Sequence, residues 1–93
     1  MRIVRYSTRF SKDLKREDKS PNNKELTSKL QLIIDLLCED QELSIRLQDH
    51  ALIGEFIGWR ELHVKPDLLL LYRKVGQESL DLLRLGIHSE IFG

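Results

Sequence analysis

The chain has few of the features that would place it in a specialised class. A single cysteine, Cys38, excludes an internal disulfide and points away from an oxidising compartment. No apolar run approaches the ~18 residues that a membrane-spanning helix needs, and no apolar stretch near Met1 reads as a secretion signal. There is no internal repeat and no low-complexity tract. The expected setting is therefore the cytoplasm, with no membrane partner. An excess of charge is missing too, since 15 Lys and Arg balance 15 Asp and Glu. A neutral total lacks the overall basic footprint that usually marks nucleic-acid proteins.

That balance is a sum of opposites. Residues 1–19 hold seven basic side chains against three acids, a net of 7 − 3 = +4, so the remainder carries −4. Zero net charge thus excludes no partner by itself. With 93 residues, 41% of them hydrophobic and 32% charged, the composition suits one soluble globular domain spanning 1–93. A chain of this size buries roughly 60–65% of its unfolded surface, enough for one small core.

Local patterns predict the order β-α-α-β-β-β. Met1 to Tyr6 suits a short edge strand. Ser7 reads as the N-cap of a basic helix with Phe10 and Leu14 on one face. Lys19-Ser20-Pro21-Asn22-Asn23 reads as a turn between two helical segments. From Asn23, read as an N-cap, Leu26, Leu30, Ile33, Ile34 and Leu37 recur at helical spacing and define a core-facing stripe. Residues 40–58 read as a partly extended connection. Trp59 to Val64 alternates, with Glu61 and His63 on the same face as Trp59. After the Pro66-Asp67 turn, Leu68 to Tyr72 is a continuous apolar run, suited to a strand buried on both faces. A turn at Gly76 joins it to a strand over 80–87. Two helices packed on a small, mostly antiparallel sheet, an α+β fold, is the natural assembly.

The histidines carry the chemistry. His50, His63 and His88 all lie in the second half, beside or within expected strands, and Asp67 sits in the turn next to His63. Two chemistries use such a set. One is metal-independent general acid–base catalysis, for which histidine is suited by an ordinary pKa of ~6.5. RNA is the matching substrate, because its 2′-hydroxyl is a built-in nucleophile. The other is a zinc-dependent hydrolase site, although spacings of 13 and 25 residues match no compact zinc signature. Arg60, Lys65, Arg73 and Arg84 lie on or beside the same strands and are candidates to hold phosphates. Phe92 is either a core cap or a stacking platform for a base. Trp59, Tyr72 and Cys38 read as packing residues.

Asp49-His50-Ala51-Leu52, Gly54, Gly58, Arg60-Glu61, His63, Pro66-Asp67, Leu70 and Tyr72 together resemble the YafQ-type toxins of the RelE superfamily. The ending Leu83-Arg84-Leu85-Gly86-Ile87-His88-Ser89-Glu90-Ile91-Phe92 does so as well, and the likeness covers residues 47–93. The resemblance implies the toxin of a type II toxin–antitoxin pair. Such a toxin is a small α+β endoribonuclease, an mRNA interferase that cuts mRNA on the ribosome without metal or other cofactor. It implies a cognate antitoxin as partner, in a hetero-oligomer. It implies a catalytic set of His50, His63, Asp67 and His88, supported by Phe92. His88 would be the general acid, and Asp67, with His50 or His63, would serve as or support the base. A non-catalytic antitoxin-binding module is the remaining alternative. Where some relatives carry a large aromatic after the aspartate, this chain has Leu68.

Overall fold

A computed structural model describes residues 1–93, the side chain of Asn22 excepted. Its elements are β1 (Ile3–Tyr6), α1 (Thr8–Asp18), α2 (Leu26–Cys38), β2 (His50–Ala51), β3 (Arg60–Lys65), β4 (Leu68–Val75), β5 (Ser79–Gly86) and α3 (His88–Phe92). Single 3-10 turns occupy Pro21–Asn23, Ile45–Leu47 and Gly54–Phe56. The strands form one sheet in the order β1-β5-β4-β3-β2. Only the β1–β5 pairing is parallel; the other three are antiparallel. The architecture is the expected α+β fold with two additions, β2 and α3. Neither is long enough to show a hydrophobic period.

The helices form where side-chain chemistry permits. Ser7 caps α1 by accepting from the Phe10 N–H at 2.9 Å, and its hydroxyl donates to the Leu83 carbonyl at 2.7 Å. One residue thus starts the helix and ties it to β5. Helix α2 begins at Leu26, so Asn23 is not its cap. Asn23 instead donates to the Glu17 carbonyl at 3.0 Å, satisfying an otherwise open end of α1. The expected α2 stripe is buried throughout. It packs with Phe10 against Leu62, Val64, Leu68, Leu70, Tyr72, Leu80, Leu82 and Leu85, which form the main core.

Strand β4 is buried on both faces over Leu68–Tyr72, and the two faces have different covers. Leu68, Leu70 and Tyr72 face α1 and α2. Leu69 and Leu71 face a smaller cluster with Ile91 of α3, joined by Leu52, Phe56, Leu83 and Phe92. The short C-terminal helix and the 3-10 turn at Gly54–Phe56 therefore supply the second cover. Where they stop, the second face lies open. Gly76 closes the β4–β5 hairpin at φ 55°, a left-handed conformation that favours glycine.

Candidate active site

The sheet register builds the site. His50 of β2 lies directly opposite Glu61 of β3, so their side chains share a face. Two residues on, His63 points the same way and lies opposite Leu69 of β4. The Pro66-Asp67 turn closes this end of the sheet, and α3 begins beside it with His88. Between them runs a groove of about 510 Å³ lined by Glu61, His63, Pro66, Asp67, Leu69, Ile87, His88 and Ser89. His63, Asp67 and His88 are therefore brought together, although 25 residues separate the two histidines. His50 joins the group through Glu61, its Nε2 lying 3.1 Å from a Glu61 carboxylate oxygen.

Hydrogen bonding separates the histidines. In His63, Nδ1 lies 3.1 Å from the Pro66 carbonyl oxygen, which can only accept. Nδ1 therefore carries the proton, and in the neutral ring Nε2 is left as a proton acceptor. In His50, Nδ1 lies 2.7 Å from the Gln48 carbonyl while Nε2 faces Glu61. Both of its nitrogens are engaged within the protein. Gln48 adopts φ 51°, a left-handed conformation costing a non-glycine residue about 1–3 kcal/mol, and its carbonyl meets the His50 ring from that position. His88 is exposed but braced: its ring lies 4.8 Å from that of Phe92, one helical turn on. Phe92 in turn packs edge-on against Phe56 at 5.4 Å.

Glu61 is the site residue that sequence reasoning passed over. Its residue exposure is 7%, and it is the buried carboxylate of the groove. The strand alternation did place it on the His63 face. It lies between His50 of β2 and Leu71 of β4, a long-range setting that no local signal shows.

The basic residues lie elsewhere. Arg60 is on the helix-bearing side of the sheet, where its guanidinium holds Asp49 at 2.8 Å. Asp49 also accepts the Tyr72 hydroxyl at 2.5 Å, and these groups line a separate groove with Leu37 and Arg73. Burial and the neighbouring Asp49 push the Tyr72 phenol well above its usual range. Lys65 turns towards the α1–α2 connection and donates to the Asn23 side chain. Arg84 lies opposite Leu71, but its Nε is bound to Asp13 at 2.8 Å, and the side chain is 11% exposed. None of the three lines the histidine groove. The reason is common to Arg60 and Arg84: each has a partly or fully buried carboxylate within reach, and a paired charge is cheaper than an unpaired one there. Phe92 braces His88 instead of standing free as a platform. Trp59 is half-buried and lies under the Arg73 guanidinium at 4.3 Å.

The whole chain has recognisable relatives. A family model described as the bacterial toxin YafQ of type II toxin–antitoxin systems matches residues 2–93. The chain belongs to the YafQ toxin family. It is 36% identical over 93 residues to the mRNA interferase toxin YafQ of Escherichia coli K12, covering 99% of this chain and 97% of that one. It shares its fold with the crystal structure of YafQ from E. coli BL21(DE3), at TM-score 0.85 and 32% identity over 100% of both chains. It also matches the E. coli DinJ–YafQ toxin–antitoxin complex at TM-score 0.81 and 34% identity, over 99% of this chain and 98% of that one. Leu68, which follows Asp67, is 2% exposed and packs in the main core, away from the histidine groove. Among the described residues, no three His, Cys, Asp or Glu side chains are grouped so as to hold a metal ion.

Proposed function

We propose that this YafQ family member is the toxin of a type II pair and blocks translation in the cytoplasm by cutting mRNA on the ribosome. The observation that carries the reading is the meeting of His63, Asp67 and His88 around one groove. RNA cleavage by its own 2′-hydroxyl needs two proton transfers. A base removes the 2′-hydroxyl proton as that oxygen attacks phosphorus, and an acid protonates the departing 5′-oxygen as its bond to phosphorus breaks. His63 has the acceptor Nε2 for the first step, with Asp67 beside it. His88, on the opposite wall and held by Phe92, is the acid. The product is a 2′,3′-cyclic phosphate, or a 3′-phosphate after water opens the ring. Glu61 holds His50, and His50 helps to keep that carboxylate satisfied at the edge of the groove.

His88→Ala tests the reading. Growth arrest on induction and mRNA cleavage on ribosomes should both disappear while the circular dichroism spectrum is unchanged; full activity in the variant overturns it. A zinc-dependent hydrolase at the same site is the competing chemistry. It requires that a zinc-selective chelator, at constant magnesium, abolish cleavage, and the acid–base reading requires that it does not. An antitoxin is the implied inhibitory partner, as DinJ is in the E. coli complex. The balanced charge supports a further expectation: counterion release gives a neutral protein little affinity for free RNA, so naked transcripts should be cut far more slowly than ribosome-bound ones.

A further inference from the structure

Helix α1 lies away from the groove, yet a chain of charged groups runs from it to the helix that carries His88. Asp13 is 2% exposed, buried at the contact between α1 and β5. Its carboxylate accepts from Arg84 Nε at 2.8 Å, Arg16 Nη1 at 2.9 Å and the Leu85 N–H at 3.0 Å. Both arginines then reach α3. Arg84 Nη2 donates to the Glu90 carbonyl at 3.4 Å, and Arg16 Nε lies 3.1 Å from a Glu90 carboxylate oxygen. The other Glu90 oxygen accepts the Ile87 N–H at 3.2 Å, closing the first turn of α3 one residue before His88.

Gly86 marks the same junction independently. A Cβ at this position would come within 2.9 Å of Arg16 Nη2 and 3.3 Å of Glu90 Oε1. A side chain at this position would press on the ends of the arginine and the glutamate where they meet over the backbone, and both would have to shift. Arg16 also donates to the Leu85 carbonyl at 2.9 Å, so both backbone groups of Leu85 are held from α1.

We propose that Asp13 is a positioning residue for His88, acting through Arg84, Arg16 and Glu90 to fix α3 against the end of β5. This rests on His88 being the general acid. α3 is only five residues long and cannot hold its own orientation by helix propensity. Its apolar anchors, Ile91 and Phe92, lie at its far end, whereas His88 is at its start. The ionic chain from α1 is what restrains that start. A displacement of about 1 Å at a proton-transfer group is enough to lower a rate ~100-fold.

The experiment compares Asp13→Asn, Arg16→Met and Gly86→Ala with the parent. Each variant is read by single-turnover cleavage of ribosome-bound mRNA and by the NMR contact between the His88 and Phe92 rings. Asp13→Asn should lower the maximal rate ~10–100-fold with unchanged KM and weaken the ring contact, leaving His63 resonances in place. Arg16→Met keeps the Asp13–Arg84 pair, so it folds even if Asp13→Asn does not, and should show a smaller loss of the same kind. Gly86→Ala should resemble Arg16→Met. A parental rate and ring contact in folded Arg16→Met and Gly86→Ala overturn the proposal, as does a loss confined to KM. His88→Ala separates the two claims: if it retains cleavage, the acid assignment fails, while the ring contact in Asp13→Asn, where both rings are present, still reports whether Asp13 positions α3.

Discussion

The two faces of the sheet are built on different terms. The face under α1 and α2 carries fifteen buried residues in one cluster, nearly all aliphatic or aromatic. The opposite face has three, Leu69, Leu71 and Ile91, and beyond them come histidines, carboxylates and open groove. One face holds the fold. The other gives its area to the histidines and carboxylates of the candidate site, and it is covered only as far as α3 and the Gly54–Phe56 turn extend. A residue's cost when removed should therefore depend on its face, in stability on one and in rate on the other.

The sharpest way to break this comparison is a pair of alanine substitutions. His88→Ala should lower cleavage by ~10²–10⁴-fold, the usual contribution of a general acid, and leave the unfolding midpoint nearly unchanged because the ring is exposed. Phe10→Ala, at a side chain with no exposure, should cost about 3–5 kcal/mol of stability and leave the residual folded fraction fully active. Urea unfolding and cleavage assays on both variants measure the cross. A large stability loss in the first or a rate loss in folded Phe10→Ala would erase the distinction between faces.

The main core was legible because its elements are long enough to have a period. The α2 stripe from Leu26 to Leu37 and the Leu68–Tyr72 run announce a helix and a doubly buried strand without reference to anything distant. The proximity of the histidines was legible because strand ends and the Pro66-Asp67 turn place them near one edge of the sheet, where His63, Asp67 and His88 line one groove. What stayed hidden is long-range and polar. Arg84 and Asp13 are 71 residues apart, and no local feature says that the arginine will bind a buried carboxylate instead of a phosphate. β2 is two residues long and exists only through its pairing with β3, and that pairing is what sets His50 opposite Glu61.

Asp13 gives a smaller effect that links the two faces. Burial alone would raise its pKa, but the Arg84 hydrogen bond, the Leu85 N–H and Arg16 outweigh it and hold the carboxyl below the usual range. A depressed native pKa means that its contribution to stability is complete above the unfolded value of ~3.9. The contribution is lost as pH falls through the lower native value, because the unfolded chain then binds the proton more readily. Asp81, lowered chiefly by its hydrogen bond from Arg5, adds to the same acid limb. The parent's unfolding midpoint should therefore hold steady down to about pH 4 and drop below it. Asp13→Asn should start lower at neutral pH, since Arg84 loses its partner, and should show a shallower drop. An acid limb as steep as the parent's would mean that Asp13 is not among the groups that set it.

The smallest effect concerns two histidines that the sequence treats alike. His63 donates through Nδ1 to the Pro66 carbonyl, which leaves Nε2 as the acceptor that the proposed base needs. His50 spends Nδ1 on Gln48 and Nε2 on Glu61. A glutamine at 50 still carries an amide N–H to give Glu61, whereas an alanine leaves a nearly buried carboxylate without that partner, at a cost of about 1–3 kcal/mol. His50→Gln should thus recover most of the cleavage and stability lost in His50→Ala. No such rescue is available at 63, because an amide nitrogen cannot accept a proton from a hydroxyl near neutral pH. His63→Gln should be as inactive as His63→Ala, measured on ribosome-bound mRNA. Equal rescue at both positions would make the two rings equivalent supports and move the base to Asp67; no rescue at either would make His50 a second proton-transfer group in its own right.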